Sequence, residues 1–90
     1  MERKCPLRNP DVVVRKEKDE ALLFDPSDGN MMCMNSTGIF VWDECDGKSS
    51  AEEISRKIEE EFEVSSEVAE KDCRSFLEEL EKSGFIGYAF

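Results

Sequence analysis

The sequence predicts an α+β fold: a three-stranded antiparallel sheet followed by three helices (β-β-β-α-α-α), the layout of a small winged helix-turn-helix domain. Three observations predict it. Three short apolar segments in the first 34 residues are separated by turn-forming residues, the mark of an antiparallel meander. From Asn35 onward the apolar residues recur with a helical period. A short break at Val64-Ser65-Ser66 then divides two amphipathic helices, of which the first opens on a capping box.

Taken in order, the first ten residues contain Pro6 and Pro10 and read as a loose, flexible arm. Val12-Val13-Val14 is β-branched and reads as the first strand. The charged run Glu17-Lys18-Asp19-Glu20 turns the chain into Ala21-Leu22-Leu23-Phe24, the second strand. Asp25-Pro26-Ser27-Asp28-Gly29-Asn30 is dense in turn formers and leads into a third strand, Met31 to Met34. Residues 34–47 hold the single tryptophan, Trp42, flanked by Ile39, Phe40 and Val41. Asn35, Ser36 and Thr37 can accept from the free N–H groups of a helix start, and Asp46-Gly47 suits a sharp turn at its end. This run reads as a short helix with an aromatic anchor.

Ser50 and Glu53 form the capping box of the second helix, whose Ile54, Ile58 and Phe62 make a single apolar stripe. The last helix covers residues 66–83, with Val68, Cys73, Phe76, Leu77 and Leu80 on one face. Gly84 supplies a left-handed residue beyond its end and Phe85 folds back on it. The Phe85-Ile86 tail packs on the sheet or core. Ile39, Trp42, Ile54, Ile58, Leu77 and Leu80 are the expected core. The 90 residues show no linker or repeat and read as one domain over 1–90, and the 39% hydrophobic content suits a compact core.

No apolar stretch approaches the roughly 20 residues that span a bilayer, and no apolar run follows the basic residues at the start. The expectation is a cytoplasmic protein without a membrane partner. The formal charge is −10, unevenly spread. Residues 1–18 hold six basic and three acidic side chains, while residues 19–90 hold six basic and nineteen acidic. A body of that sign repels nucleic acid and suits a basic or apolar partner. Cys5, Cys33, Cys45 and Cys73 form no C-x-x-C pair, and the last three fall where small apolar residues pack, so they read as structural thiols.

Catalytic chemistry finds no support. The chain has no histidine and no Gly-x-Ser-x-Gly, phosphate-loop or His-Glu-x-x-His motif. Asp43, Glu44 and Asp46 read as a solvated turn, and Glu59-Glu60-Glu61 as the wet face of a helix. No catalytic, metal or cofactor-binding residue is expected, and the remaining class is a binding module. A winged helix commonly reads DNA through its recognition helix. Here residues 66–83 carry Lys71, Arg74 and Lys82 against six acids, a net of −3, the wrong sign for a phosphate-lined groove. The other use is peptide capture by strand addition at an exposed sheet edge, to which Met31, Met32 and Met34 around Cys33 would add a soft surface. One face of that strand, with Met32 and Met34, would meet the core.

Met34-Asn35-Ser36-Thr37-Gly38, then Trp42-Asp43-Glu44-Cys45-Asp46-Gly47 and Ala51-Glu52-Glu53-Ile54, resemble the PqqD family, whose pattern is Leu-Asn-x-Thr-Gly/Ala, an aromatic, Asp-Gly and an x-Glu-Ile helix. Asp72-Cys73, Phe76-Leu77, Leu80 and Gly84-Phe85-Ile86 match its closing segment, so the similarity covers roughly residues 12–87. Met34 stands where Leu is usual and Cys73 where an aliphatic is common. The resemblance implies a chaperone that holds the leader of a ribosomally made precursor as an added strand and presents it to a modifying enzyme, often a radical-SAM protein. Pyrroloquinoline quinone synthesis is one such pathway.

On that basis Met31, Met32, Cys33 and Met34 would hold the peptide, the backbone groups of the first three pairing with it. Asp72, Ser75 and Glu79, at i, i+3, i+7, would line the helix side over an apolar floor at Phe76. The chain would be a monomer or a strand-exchanged dimer. The alternatives are a DNA-binding regulator and a docking subunit that touches no peptide.

Overall fold

The structure, a computed structural model, describes residues 4–89. The chain order is β1 (Cys5–Arg8), β2 (Val13–Glu17), β3 (Glu20–Phe24), β4 (Met31–Met34), α1 (Ser36–Glu44), α2 (Ala51–Phe62), α3 (Ser66–Lys82) and β5 (Ile86–Ala89). Strands β2-β3-β4 form the expected antiparallel meander, and the three helices follow it. The fold is the α+β winged-helix arrangement, extended by a second, two-stranded sheet of β1 and β5.

The connections obey local chemistry. Glu17 pairs with Glu20 across Lys18-Asp19, and Lys18 takes the positive φ (53°) that a two-residue hairpin demands. Between β3 and β4, the buried Asp25 carboxylate accepts from Ser27 N (2.9 Å) and Ser27 Oγ (2.7 Å). Asn35 caps α1 by accepting from Gly38 N at 3.0 Å. The Ser50–Glu53 box opens α2 with both of its reciprocal bonds. After α3, Phe85 N–H reaches Leu80 O (2.8 Å) and Gly84 N–H reaches Glu81 O (3.0 Å), the two bonds of a Schellman end, with Gly84 at φ 79°. Phe85 is thereby delivered fully buried into the core.

That core gathers Leu23 and Met34 from the sheet, Val41, Trp42 and Cys45 around α1, Ile54 and Ile58 from α2, and Ala69, Cys73, Leu77 and Leu80 from α3. Ile39 packs against it only partly buried. One expected face is shifted by a residue. Val68 is 44% exposed, and Ala69 takes the core position, giving the stripe Ala69, Cys73, Leu77, Leu80.

The expectation of a loose arm over residues 1–10 is corrected where the structure describes them; residues 1–3 lie outside. Cys5–Arg8 pairs antiparallel with Ile86–Ala89, Arg8 opposite Ile86. Arg8 N–H also donates to Cys45 O (2.9 Å) and Gly47 N–H to Pro6 O (2.9 Å). The Arg8 guanidinium donates to Trp42 O (3.1 Å) and Asp43 O (2.6 Å), supplying the cation that α1 lacks in its own last turn. Pro6 is compatible with this placement, because it lies in a strand of a two-stranded sheet, where an edge tolerates a missing donor.

None of the four cysteines forms a disulfide; Cys5, Cys45 and Cys73 are buried. Cys33 is exposed, against its expected packing role, because it faces outward from β4. Burial pushes the Cys45 thiol up to about 12 and the Cys73 thiol up to about 11, from an ordinary value of 9.0. The folded state holds both neutral. Their contribution to stability is therefore complete below about pH 9 and is lost as pH rises from there toward 11–12. Two outcomes are expected: alkylation at pH 8 modifies Cys33 well before Cys45 or Cys73, and the melting temperature falls steadily above pH 9. Rapid modification of Cys45 in the folded protein would refute this burial.

No helix among the described residues is long and apolar enough to cross a membrane.

Candidate functional site

Strand β4 is paired on one side only, since the sheet order ends β3-β4. The register sets Met31 against Phe24, Met32 against Leu23, Cys33 against Leu22 and Met34 against Ala21. Asp25 N–H donates to Asn30 O at 2.9 Å, which makes that preceding pair a hydrogen-bonded one. Antiparallel ladders alternate, so Met32 and Met34 exchange bonds with β3, while Met31 and Cys33 direct their N–H and C=O groups to the open edge. The side chains alternate too. Met34 is buried and Met32 packs against the core, whereas Met31 (64% exposed) and Cys33 face outward. Of the three backbones expected to face a peptide, the ladder thus leaves Met31 and Cys33 available and occupies Met32.

Helix α3 runs beside this edge in the opposite direction. Asn30 Nδ2 donates to Ser83 O (3.2 Å), fixing the start of β4 to the end of α3. At the other end of β4, Met34 meets Gly38 and Phe76. A Cβ built on Gly38 would stand 2.9 Å from Phe76 Cε1 and 3.0 Å from Met34 Cε. A side chain at this position would have to displace the Phe76 ring or the Met34 methyl. Asp72, Phe76, Glu79 and Ser83, at i, i+4, i+7 and i+11, form the helix wall facing the same way. Phe76 and Asp72 are half-buried and Glu79 is exposed.

The structure therefore sets Met34 and Phe76 together at Gly38, with Asp72 and Glu79 on the same face of α3 as Phe76. Ser75 is on the outer margin of that face: it shares a shallow depression with Glu67, Glu70, Lys71, Arg74 and Glu78. Val68 lies four residues before Asp72 on the same stripe and leaves an aliphatic side chain in solvent. Sequence reasoning set it on one apolar face with Cys73, Phe76, Leu77 and Leu80. The available signal was Ala69, which continues the 3.6-residue spacing of Cys73, Leu77 and Leu80 better than Val68 does. A second cleft, of about 680 Å³, opens between α2 and α3 on another side of α3, where Arg56 and Arg74 face Glu52, Glu59, Glu70 and Glu78. The described residues contain no group of three or more His, Cys, Asp or Glu placed to hold a metal ion.

Gly38→Ala tests the meeting of α1 with Phe76 and Met34. Alanine favours a helix by about 1 kcal/mol over glycine, while overpacking a filled site costs about 1–3 kcal/mol. The contact at 2.9 Å makes the second effect larger. The variant is expected to lose about 1 kcal/mol in denaturant unfolding and to displace the Phe76 ring signals in NMR. A variant more stable than the parent would mean that α1 does not approach α3 this closely.

A small winged-helix module, with an open strand beside a helix, is the class that this fold and this edge define. The family model for coenzyme PQQ synthesis protein D (PqqD) matches residues 20–86, and the chain belongs to the PqqD family. A solved structure of TbiB1 in complex with the TbiA(beta) leader peptide is similar at a TM-score of 0.78 and 27% identity, over 93% of this chain and 99% of that one. Lasso peptide synthetase B1, complexed with the leader peptide, is similar in fold at a TM-score of 0.77 and 20% identity, over 91% of this chain and 96% of that one. A search of curated proteins returns no match.

Proposed function

We propose that this protein captures the leader of a ribosomally made precursor peptide by strand addition at β4 and presents the rest of the precursor to a modifying enzyme. The observation that carries this reading is the open edge of β4, where alternation turns the backbones of Met31 and Cys33 outward beside the α3 wall. The added strand would pair with those two residues, Met34 and Phe76 would form its apolar floor, and Asp72 and Glu79 would meet basic groups of the leader. Val68 extends the apolar contact toward the start of α3. Ser75 contributes at the margin. The chain's part is binding and presentation, and the chemistry belongs to the partner, a radical-SAM enzyme in the reading we favour. Likeness to TbiB1, solved with a leader peptide, supports a leader peptide as the ligand. The net −3 of α3 weighs against a DNA groove as the ligand.

A random-peptide display selection supplies a probe without assuming the pathway, with the TbiA(beta) leader included in the panel. An enriched peptide is expected to shift the amides of Met31 and Cys33 and the α3 amides from Asp72 to Glu79, saturably. Enrichment of no peptide, or shifts centred on β2 or on the α2–α3 cleft, would overturn the reading.

A further inference from the structure

Strand β4 and helix α3 are tied at two points, and these set the level of every residue between them. At one end Asn30 Nδ2 donates to Ser83 O at 3.2 Å. At the other, Met34 and Phe76 meet at Gly38. From Asn30 to Met34 the strand advances about 13 Å, at about 3.3 Å per residue. From Ser83 back to Phe76 the helix advances about 10.5 Å, at about 1.5 Å per residue. The two elements therefore keep step. Met32 lies midway along the strand and Glu79 midway along the helix, so they share a level. Asp72, four residues before Phe76, lies about 6 Å beyond the level of Met34, which is the advance of two strand residues.

A strand added to β4 alternates as β4 does. Its residues opposite Met31 and Cys33 point to the outward face of the sheet. Those opposite Met32 and Met34 point with these two side chains toward the core side, where α3 packs. The peptide positions level with Asp72, with Met34 and Phe76, and with Glu79 are then i, i+2 and i+4, and all three face α3. The middle one meets two apolar side chains. The outer two meet carboxylates, and neither Asp72 nor Glu79 has an ion-pair partner among the described residues. Asp72 is already half-buried. A strand laid along this face takes both carboxylates further out of water, and a cation on the strand offsets that cost. The cations Lys71 and Arg74 of α3 cannot do so, because they lie with Ser75 on the other margin.

We infer that the peptide recognised at β4 carries the pattern basic-x-apolar-x-basic. Asp72 and Glu79 select the two cations, and Phe76 with Met34 selects the apolar side chain between them. This pattern follows if β4 takes an added strand, the reading proposed above, and it adds the sequence class of the ligand. It is the same read in either direction, so it holds for a parallel as for an antiparallel strand. Spacing sets it, not net charge. A general attraction of the −10 chain for cations would accept lysines at any position of the peptide.

Random-peptide display against the full chain reads the pattern directly. Enriched peptides that shift the Met31 and Cys33 amides are expected to share Lys or Arg two residues to either side of an apolar residue. In the tightest of them, moving each basic residue one position outward keeps composition and charge but turns both side chains away from α3. Affinity is expected to fall about tenfold, from two ion pairs each worth about three- to fivefold. Glu79→Lys, at an exposed position, is expected to weaken the parent peptide by a similar factor. Affinity then returns when one of the two basic residues, and only that one, is replaced by Glu. Glu60→Lys makes the same charge change on the exposed side of α2 and is expected to alter affinity less than about twofold, since salt screens it. Three results would overturn the pattern and leave strand addition standing. They are enriched peptides that bind at β4 without it, a shifted peptide that binds as the parent does, and a Glu60→Lys effect equal to that of Glu79→Lys. Enrichment of no peptide would overturn strand addition itself, and the pattern with it.

Discussion

Trp42→Ala is expected to cost about 3–5 kcal/mol and to loosen or unfold the domain. Trp42 is 4% exposed and sits where α1 closes over the sheet, in a cluster with Leu23, Met34, Ile54, Ile58 and Leu80. No neighbour is free to fill the space. The flanking Phe40 is already set edge-on against Phe62, with ring centroids 5.6 Å apart. Domains of this size hold roughly 0.05–0.15 kcal/mol per residue, about 4.5–13.5 kcal/mol for 90 residues, so the loss is a large share of the whole stability. At about 4–8 °C per kcal/mol the melting temperature should fall by at least about 12 °C. Trp42→Phe, which keeps most of the volume, should lose much less. Thermal melts followed by circular dichroism measure both, since the alanine variant removes the only indole. A loss under about 1 kcal/mol for Trp42→Ala would mean that the α1–sheet junction is not packed as described.

What the sequence made legible follows from how far apart the interacting residues stand in the chain. The Ser50–Glu53 box, the Asn35 cap and the Schellman end at Gly84 and Phe85 are each closed within six residues, and each is present as expected. The stripe Ile54, Ile58, Phe62 and the alternation of Met32 and Met34 follow from local geometry in the same way. The pairing of β1 with β5 was not legible. Cys5 meets Ala89 across nearly the whole chain, and a four-residue segment containing proline has no periodicity that could announce its partner. Val68 and Ala69 show a finer limit: adjacent residues differ by 100° around the helix, so a stripe read without its partner surface can shift by one. At the candidate site, the strand and the helix were both legible, while Gly38 was not. Its role depends on Phe76 and Met34 approaching from two other elements.

Cys33→Pro is expected to weaken peptide binding by about 10- to 100-fold in a protein that remains folded. The separation of those two effects follows from the ladder. Met32 exchanges its hydrogen bonds with Leu23, so Met32→Pro would remove a bond inside the sheet and threaten the fold. Cys33 lies one residue further along and turns its N–H away from β3. Proline there removes no bond of the free protein, and edge strands accept it. The preceding Met32 is already extended, as a residue before proline must be. An incoming strand, however, loses its donor at Cys33. It forfeits a bond worth about 0.5–1.5 kcal/mol, and an acceptor left unpaired costs about 1–3 kcal/mol more. The proline ring also stands in the path of the added backbone. Cys33→Ser keeps the N–H and should bind nearly as the parent does, which separates the backbone from the thiol. Isothermal titration with a peptide from the display selection, alongside a melt of each variant, reads affinity and folding independently. Unchanged affinity in a folded Cys33→Pro protein would rule out strand addition at β4, since Cys33 supplies one of the two outward donors of that edge.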